Sequence, residues 1–250
     1  MRSASPVAVV TGGAGGIGAA ICRALASAGF AVVVGYRGSA AAAIRLASEL
    51  PGSAHAALPA PVTDSAALRA LSAEVGERYS RCDVLVNCAG TTRFVPHHDL
   101  DGLDDALIDE ILSTNVRGSF AVLRALLPLL KFSTRPGGAI VVNISSIAAR
   151  TAMGSNVMYC ASKAAVDNMT LSLARALAPA VRVVSVSPGL VDTEFVKSLD
   201  PGWRQEQAAR TPLGRLALPA EVAAAVVAAV RDLTFTTGCI LAVDGGRPLN

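Results

Sequence analysis

The chain predicts an α/β fold, a doubly wound parallel sheet of about seven strands flanked by helices. Three observations predict it. Short, continuous apolar runs alternate with longer helical stretches, the pattern of parallel strands buried on both faces. Apolar residues make up 52% of the 250 residues but aromatics only 4%, and small alanine and valine side chains suit close packing of helices on a sheet. A glycine-rich turn, Thr11-Gly12-Gly13-Ala14-Gly15-Gly16-Ile17-Gly18, lies where the first strand meets the first helix. No repeat, low-complexity tail or linker breaks the pattern, so residues 1–250 read as one domain.

The elements follow in order. Val7-Ala8-Val9-Val10 is the first strand, and a helix runs from about Gly16 to Ala28, stopped by Gly29 just past its end. Ala31-Val32-Val33-Val34 is the second strand. A helix near Ala40 to Leu50 follows, broken by Pro51-Gly52. Strand-like Ala54 to Leu58 precedes Thr63-Asp64, an N-cap for a helix from Ser65 to Arg78. Asp83-Val84-Leu85-Val86 is the fourth strand, and Asn87 to Pro96 is loop. A long helix is expected from about Leu103 to Leu130, with an irregularity near Gly118. Pro136-Gly137-Gly138 leads into the fifth strand, Ala139 to Ile144. A helix from about Val157 to Ala178 ends at Pro179, and Val181 to Val186 is the sixth strand. Ser187 to Leu216 reads as an irregular polar segment. A helix from Ala220 to Arg231 and a last strand, Ile240 to Val243, complete the chain.

Composition excludes several function classes. The net charge is +3 and the cations are scattered, without the basic stripe that nucleic-acid binding needs. The apolar stretch Val222 to Val230, bounded by Glu221 and Arg231, falls far short of the roughly 20 residues that span a bilayer. The first residues lack the apolar core and small-residue cleavage site of a leader, so a cytoplasmic location is expected. Five widely spaced cysteines (Cys22, Cys82, Cys88, Cys160 and Cys239) read as small buried hydrophobes in a reducing compartment. His55, His97 and His98 show no metal-ligand spacing, and no metal is expected.

What remains is chemistry at one edge of a sheet. Glycines at the first strand–helix junction let a backbone approach a pyrophosphate, and a helix start offers unpaired N–H groups with a positive dipole end. After the second strand the chain reads Val34-Gly35-Tyr36-Arg37-Gly38-Ser39. No acid is present there to bind a ribose 2′-hydroxyl, whereas Arg37 and Ser39 could hold a 2′-phosphate; the alternative is that Arg37 is a solvated loop residue. Tyr159-Cys160-Ala161-Ser162-Lys163 places a phenol and an ammonium four residues apart on one helix face. A free tyrosine, with a pKa of about 10, is a reluctant acid at neutral pH, and a neighbouring ammonium favours its phenolate. Asn87-Cys88-Ala89-Gly90, Asn143-Ile144-Ser145-Ser146 and Pro188-Gly189 leave the fourth, fifth and sixth strands at the carboxyl edge where such sheets bind ligands. Asn115 interrupts a helix, where asparagine is a poor former.

Together these segments resemble the short-chain dehydrogenase/reductase family over nearly the whole chain. The likeness is carried by the Thr-Gly-x-x-x-Gly-x-Gly turn, Asn-x-Ala-Gly, Asn115, Ser146, Tyr-x-x-x-Lys, Pro188-Gly189 with Thr193, and Val243-Asp244-Gly245-Gly246. The resemblance implies a single Rossmann-type domain and an NAD(P)-dependent oxidoreductase interconverting a ketone and a secondary alcohol. It implies a catalytic set of Asn115, Ser146, Tyr159 and Lys163. Tyr159 would protonate the developing alkoxide, Ser146 would orient the substrate oxygen, and Lys163 would bind the nicotinamide ribose and lower the tyrosine pKa. Asn115 would hold a water linking Lys163 to solvent, and Ser145 would be structural. The cofactor contacts implied are Gly12, Gly15, Gly16, Ile17, Gly18, Tyr36, Arg37, Ser39, Val62, Asn87, Ala89, Gly90, Tyr159, Lys163, Pro188, Gly189, Val191 and Thr193. Family members with an arginine at position 37 generally prefer NADPH, so NADP(H) is expected ahead of NAD(H).

Three departures from the family pattern stand out. Cys88 replaces a frequent second asparagine. Pro61 replaces an aspartate that contacts adenine, leaving that role to main-chain groups at Val62. Gly15 replaces a basic residue common in NADPH-binding turns, so Arg37 alone carries that preference. The stretch from about 190 to 216 corresponds to the family's substrate loop and lid, with Phe195, Leu199, Trp203 and Arg204 as contacts. Within the family the layout is most similar to 3-oxoacyl-[acyl-carrier-protein] reductases, which implies a small carbonyl or alcohol substrate, thioester-linked in that case. Arg93, Arg150, Lys197, Arg204 and Arg210 are candidates for a basic patch facing an acidic carrier; ordinary surface charge is the other reading. A homotetramer or homodimer is expected. The alternatives are an NAD-dependent sugar or steroid alcohol dehydrogenase, and a regulatory protein that binds NADPH without turnover.

Overall fold

Valine-rich runs that no helix face can hide become strands, and the amphipathic stretches between them become the layers that cover the strands. In the computed structural model, which describes residues 5–249 apart from the Phe195 side chain, the elements run β1 (Val7–Thr11), α1 (Gly16–Ser27), β2 (Ala31–Tyr36), α2 (Ala40–Glu49), β3 (Ala56–Pro59), α3 (Ser65–Tyr79) and β4 (Val84–Asn87). They continue with α4 (Asp105–Leu112), α5 (Ser119–Leu130), β5 (Ala139–Ile144), α6 (Ala148–Thr151), α7 (Val157–Leu177) and β6 (Val181–Pro188). The chain closes through α8 (Glu194–Lys197), α9 (Pro201–Ala209), α10 (Pro219–Arg231) and β7 (Ile240–Val243). Residues 1–4, read above for a leader, and the expected Phe195 contact lie outside the described residues.

The sheet order is β3-β2-β1-β4-β5-β6-β7, and every pairing is parallel. The order reverses between β1 and β4, where Thr11 lies opposite Asn87, so a crevice opens at their carboxyl ends. Alternate residues of each strand feed two separate cores. Val10, Val34, Val86 and Val142 meet Ile21, Leu25, Val226 and Val230 of α1 and α10. Val9, Val33, Leu85 and Val141 meet Leu68, Val75, Leu126 and Leu130 of α3 and α5. Burial of a side chain of this size contributes about 1.5–3 kcal/mol, so two such cores hold the sheet rigid beneath the crevice.

Helix and strand ends follow local chemistry. Asp64 Oδ1 accepts from Ala66 N at 2.8 Å and Ala67 N at 3.1 Å, capping α3 as the sequence predicts. Gly29 has φ +89° past the end of α1. Ala54 has φ +63°, a left-handed backbone no strand tolerates, so β3 begins at Ala56 rather than Ala54. The helix expected from Leu103 starts at Asp105 because Asp104 caps it, accepting from Leu107 N at 2.8 Å. Its irregularity is a wide π turn over Ser113–Gly118. The segment from Ser187 to Leu216, expected to be irregular, instead contains α8 and α9. Asp200 Oδ1 accepts from Trp203 N at 2.7 Å and Pro201 opens the helix, a start signal masked by the polar composition around it. The four-residue α6 was also unanticipated. At the opposite end of the sheet, buried Arg182 of β6 donates to the carbonyls of Gly137 (3.2 Å), Ala229 (3.2 Å), Leu233 (2.9 Å) and Thr236 (3.0 Å), clasping the end of α10 to the strand.

Candidate active site

The glycine turn brings the start of α1 close to the end of β1. Gly12 has φ +64°, and a Cβ on Gly18 would collide with the Gly12 carbonyl oxygen. Only glycine lets α1 start this close to β1. The N-cap residue Gly15 makes no side-chain capping bond, so the N–H groups of Gly16, Ile17 and Gly18 face outward without an intrahelical partner. Thr193, after β6, closes over this start: a Cβ on Gly16 would lie 3.0 Å from Thr193 Cγ2. Thr11 Oγ1 accepts from Cys88 N at 3.1 Å and Ala89 N at 3.2 Å, fixing the end of β4 against the turn. Thr11 was not among the expected residues; its signal was a hydroxyl at the last position of a buried strand.

On the far side of the turn, Tyr36 is half-buried at the end of β2, and Arg37 and Ser39 are exposed. The Ser39 side chain makes no capping bond to α2, and Arg37 has no ion pair among the described residues. Both groups are therefore unspent. Val62 is buried and packed against Gly118, where a Cβ would lie 2.7 Å from Val62 Cγ2. These features fit a dinucleotide: a cradle that any side chain would fill, unpaired helix-start donors, and a free guanidinium with no acid at the end of β2.

The crevice floor is polar and buried. Asn87 Nδ2 donates to Asn143 Oδ1 at 2.9 Å and to Ser119 O at 3.3 Å, Asn143 Nδ2 donates to Thr170 Oγ1 at 2.8 Å, and Thr170 Oγ1 meets Ser185 Oγ at 2.9 Å. Asn87 Oδ1 is buried and unpartnered. Asn115 sits in the π turn and is 1% exposed. Its Oδ1 accepts from Thr91 N at 2.8 Å, and its Nδ2 donates to Thr91 O and Ser162 Oγ, both at 3.0 Å. Its main-chain carbonyl accepts from Ser119 Oγ at 2.8 Å. A Cβ at Gly90 would lie 3.3 Å from Asn115 Oδ1 and 3.8 Å from Lys163 Nζ, so these three positions converge.

Tyr159 and Lys163 share one face of α7, with Nζ 5.6 Å from the phenol ring centre. Lys163 is 7% exposed and donates to Ile144 O at 2.9 Å. Ser146 is half-exposed at the carboxyl edge of β5, its hydroxyl accepting from Ala148 N at 3.2 Å to start α6. Ser145 is buried beneath α7. Asn156, which was not singled out in the sequence, caps α7. Its Oδ1 accepts from Tyr159 N at 2.7 Å, and its Nδ2 donates to Arg93 O at 2.7 Å and Thr92 Oγ1 at 3.3 Å. It thereby ties the loop after β4 to the turn that carries Tyr159; asparagine immediately before a helical run is a start signal that could have found it.

Around the mouth, Pro188 ends β6, and Gly189 lies against Asp244. Val191 bridges to Ala217, closing the base of the segment that carries α8 and α9. A cavity of about 390 Å³ lies there between Pro201, Arg204, Leu216 and Leu218. Four cations considered for a basic patch are neutralised by local acids: Arg93 by Asp104, Lys197 by Glu194, Arg204 by Asp192 and Arg210 by Glu206. Arg150 has no ion pair among the described residues. All five cysteines are free, and burial pushes the Cys88 thiol up to about 11, which leaves it uncharged beside the crevice. Among the described residues no group of three His, Cys, Asp or Glu side chains could hold a metal, and no helix is long and apolar enough to cross a membrane.

Residues 12–247 match the family described as enoyl-(acyl carrier protein) reductase. The chain is 39% identical over 247 residues to a Streptomyces violaceoruber protein assigned as ketoacyl reductase 2 of the granaticin polyketide synthase, covering 98% of this chain and 97% of that one. It is 40% identical over 250 residues to cis-4-hydroxycyclohexanecarboxylate dehydrogenase of Sinomonas cyclohexanicum, covering 97% and 96%. The crystal structure of a 3-ketoacyl-(acyl-carrier-protein) reductase from Brucella melitensis complexed with NADH superposes with a TM-score of 0.87 at 30% identity, covering 97% and 98%.

Proposed function

The chain belongs to the short-chain dehydrogenase/reductase family, and from that premise we propose that it is an NADPH-dependent carbonyl reductase of the 3-oxoacyl type. An oxidoreductase of this family interconverts a ketone and a secondary alcohol with NAD(P)(H). The observation that carries the catalytic reading is the convergence of Lys163, Asn115 and Gly90 at the crevice mouth, with Tyr159 beside the ammonium.

A bound reduced nicotinamide supplies the hydride. The chain's own residues do the rest. Tyr159 gives its phenolic proton to the substrate oxygen as negative charge develops there. Ser146, half-exposed at the strand edge, donates a hydrogen bond to the same oxygen and holds it in line. The Lys163 ammonium stabilises the phenolate left behind, and Ile144 O keeps that ammonium aimed into the crevice. Asn115 holds the Thr91 loop through both side-chain atoms, and its main-chain carbonyl would hold the water that returns a proton to Lys163. The helix-start donors of Gly16, Ile17 and Gly18 would take the pyrophosphate, and Asn87, Ala89, Gly90, Pro188, Gly189, Val191 and Thr193 would line the nicotinamide half.

The preference for NADPH rests on Arg37 and Ser39, both unspent, at a strand end without an acid. The segment from 190 to 216 serves as the lid. Paired cations around the mouth favour a small or thioester substrate over strong electrostatic docking of an acidic carrier. Exposed Phe120, Val157 and Leu171 on α5 and α7 support a homodimer or homotetramer, and five free cysteines support a cytoplasmic location. A secondary-alcohol dehydrogenase is the second reading, favoured by the Sinomonas relative; a non-catalytic cofactor binder disagrees with the intact Tyr159–Lys163 pair.

One experiment tests the proposal. NADPH or NADH is mixed with the protein and a panel of β-ketoacyl thioesters and small ketones, and loss of reduced-nicotinamide absorbance is followed for the native chain, Tyr159→Phe and Arg37→Ala. Turnover should vanish in Tyr159→Phe with cofactor binding retained. Arg37→Ala should raise the KM for NADPH about tenfold or more while sparing NADH, the loss of one charge-assisted phosphate contact. Turnover by Tyr159→Phe, or an NADH preference in the native chain, overturns the corresponding part.

A further inference from the structure

The mechanism above leaves one buried acid unused. Asp167 lies four residues beyond Lys163 on α7, on the face turned to β5 and β6, and is 8% exposed. Neither of its carboxylate oxygens has a partner of good hydrogen-bond geometry. The Ser145 hydroxyl of the β5 end and the Ser185 hydroxyl of β6 face it, and the charged groups that act on it are Lys163 from its own helix and Arg150 from α6. Lys163 is itself buried, and among the described residues it has no ion pair; its donor contact is to a neutral carbonyl. A buried ammonium without a counter-charge is costly, and Asp167 is an acid on which its field acts.

We propose that Asp167 is a positioning residue that acts through Lys163: its carboxylate balances the buried ammonium and so sets the pH range over which Tyr159 exchanges its proton. This rests on the reading of Tyr159 and Lys163 as the proton-transfer pair. Burial is the larger influence on the carboxyl and raises it above the usual carboxylate range, while the serine hydroxyls, Lys163 and Arg150 pull it back down. Its charge therefore depends on the polar setting around it, to which the buried Ser145 and Ser185 hydroxyls contribute. The direction of the effect is fixed by sign. A carboxylate at this position opposes a phenolate at Tyr159, and its removal leaves the ammonium's full field to favour one.

Eight residues of helix separate Asp167 from Tyr159, about 12 Å of rise. Coulomb's law over about 12 Å with an effective dielectric of about 20 corresponds to a shift of about one pH unit. Three tyrosines are present in the chain, so the near-ultraviolet phenolate absorbance of Tyr159 is isolated by subtracting the titration of Tyr159→Phe. The comparison is made between the native protein and Asp167→Asn, each checked by circular dichroism and for NADPH binding. The phenolate titration should move to lower pH by about half a unit or more in Asp167→Asn, with the basic limb of kcat/KM for ketone reduction moving with it. A smaller shift, or one to higher pH, overturns the proposal. Should Asp167→Asn not fold, Asp167→Ser, which leaves a hydroxyl between Ser145 and Ser185, takes its place with the same criterion. The absorbance readout needs no turnover, so a failed catalytic assignment, seen as activity in Tyr159→Phe, is distinguished from a failed role for Asp167.

Discussion

Replacing Asn156 by alanine should separate the architecture of the site from its chemistry. The side chain is 1% exposed and makes three hydrogen bonds, at 2.7, 2.7 and 3.3 Å, to Tyr159 N, Arg93 O and Thr92 Oγ1. Losing an N-cap costs about 1 kcal/mol, and each further lost hydrogen bond costs about 0.5–1.5 kcal/mol. The sum for Asn156→Ala is about 2–4 kcal/mol, read as a fall in the unfolding midpoint in denaturant at constant slope. Because the first turn of α7 carries Tyr159, its loosening should also lower kcat about tenfold or more, since small misplacements of reacting groups are costly. Cofactor affinity should change little, as the glycine turn is untouched. Asn156→Ser retains an acceptor for Tyr159 N and loses the bond to Arg93, so it should recover about 1 kcal/mol and part of kcat. Equal stability of Asn156→Ala and the native protein, or a kcat that does not fall, would refute the reasoning that this residue anchors the catalytic turn.

Two other perturbations follow from the same structure. Arg182→Met should cost about 3–5 kcal/mol, because a buried guanidinium that satisfies four carbonyls is removed and they are left without donors; a denaturant midpoint unchanged from the native chain contradicts this. Glu221 is held down at about 2, first by the bidentate Arg215 hydrogen bonds and then by the Leu218 N–H. A depressed carboxyl stabilises the fold above its unfolded value of 4.5 and loses that contribution as pH falls through about 2. The Tm of the native chain should therefore decline more steeply than that of Glu221→Gln between about pH 4.5 and about pH 2, and parallel declines would count against the linkage.

The site was legible in the sequence to the extent that its parts are local. Tyr159 and Lys163 are one helical turn apart, and the glycine turn spans eight neighbouring residues, so spacing alone displays them. Asp64 and Gly29 announce their helix ends in the same way. Helix α9 and the π turn around Asn115 were harder to read, because polar composition hides an Asp-Pro start and a single asparagine marks only that something interrupts a helix. The paired state of Arg93, Lys197, Arg204 and Arg210 was invisible as surface charge, since cations near acids in sequence and cations free in solution read alike.

Taken alone, the amino-acid order determined which segments are strands, that they pair in parallel, that a phenol and an ammonium share one helix face, and that a glycine-rich turn lies at the first strand-to-helix junction. Backbone conformation and apolar periodicity depend on near neighbours, and near neighbours are what a sequence lists. Only the tertiary structure decided that Gly90, Asn115 and Lys163 meet, that Asn156 ties the loop after β4 to α7, and that Asp167 is buried without a partner on the face that bears Lys163. Those relations join residues up to 73 positions apart, from Gly90 to Lys163, across a strand order in which β1 lies beside β4. Their energies come from burial and from the dielectric it imposes, and neither exists until the sheet has closed.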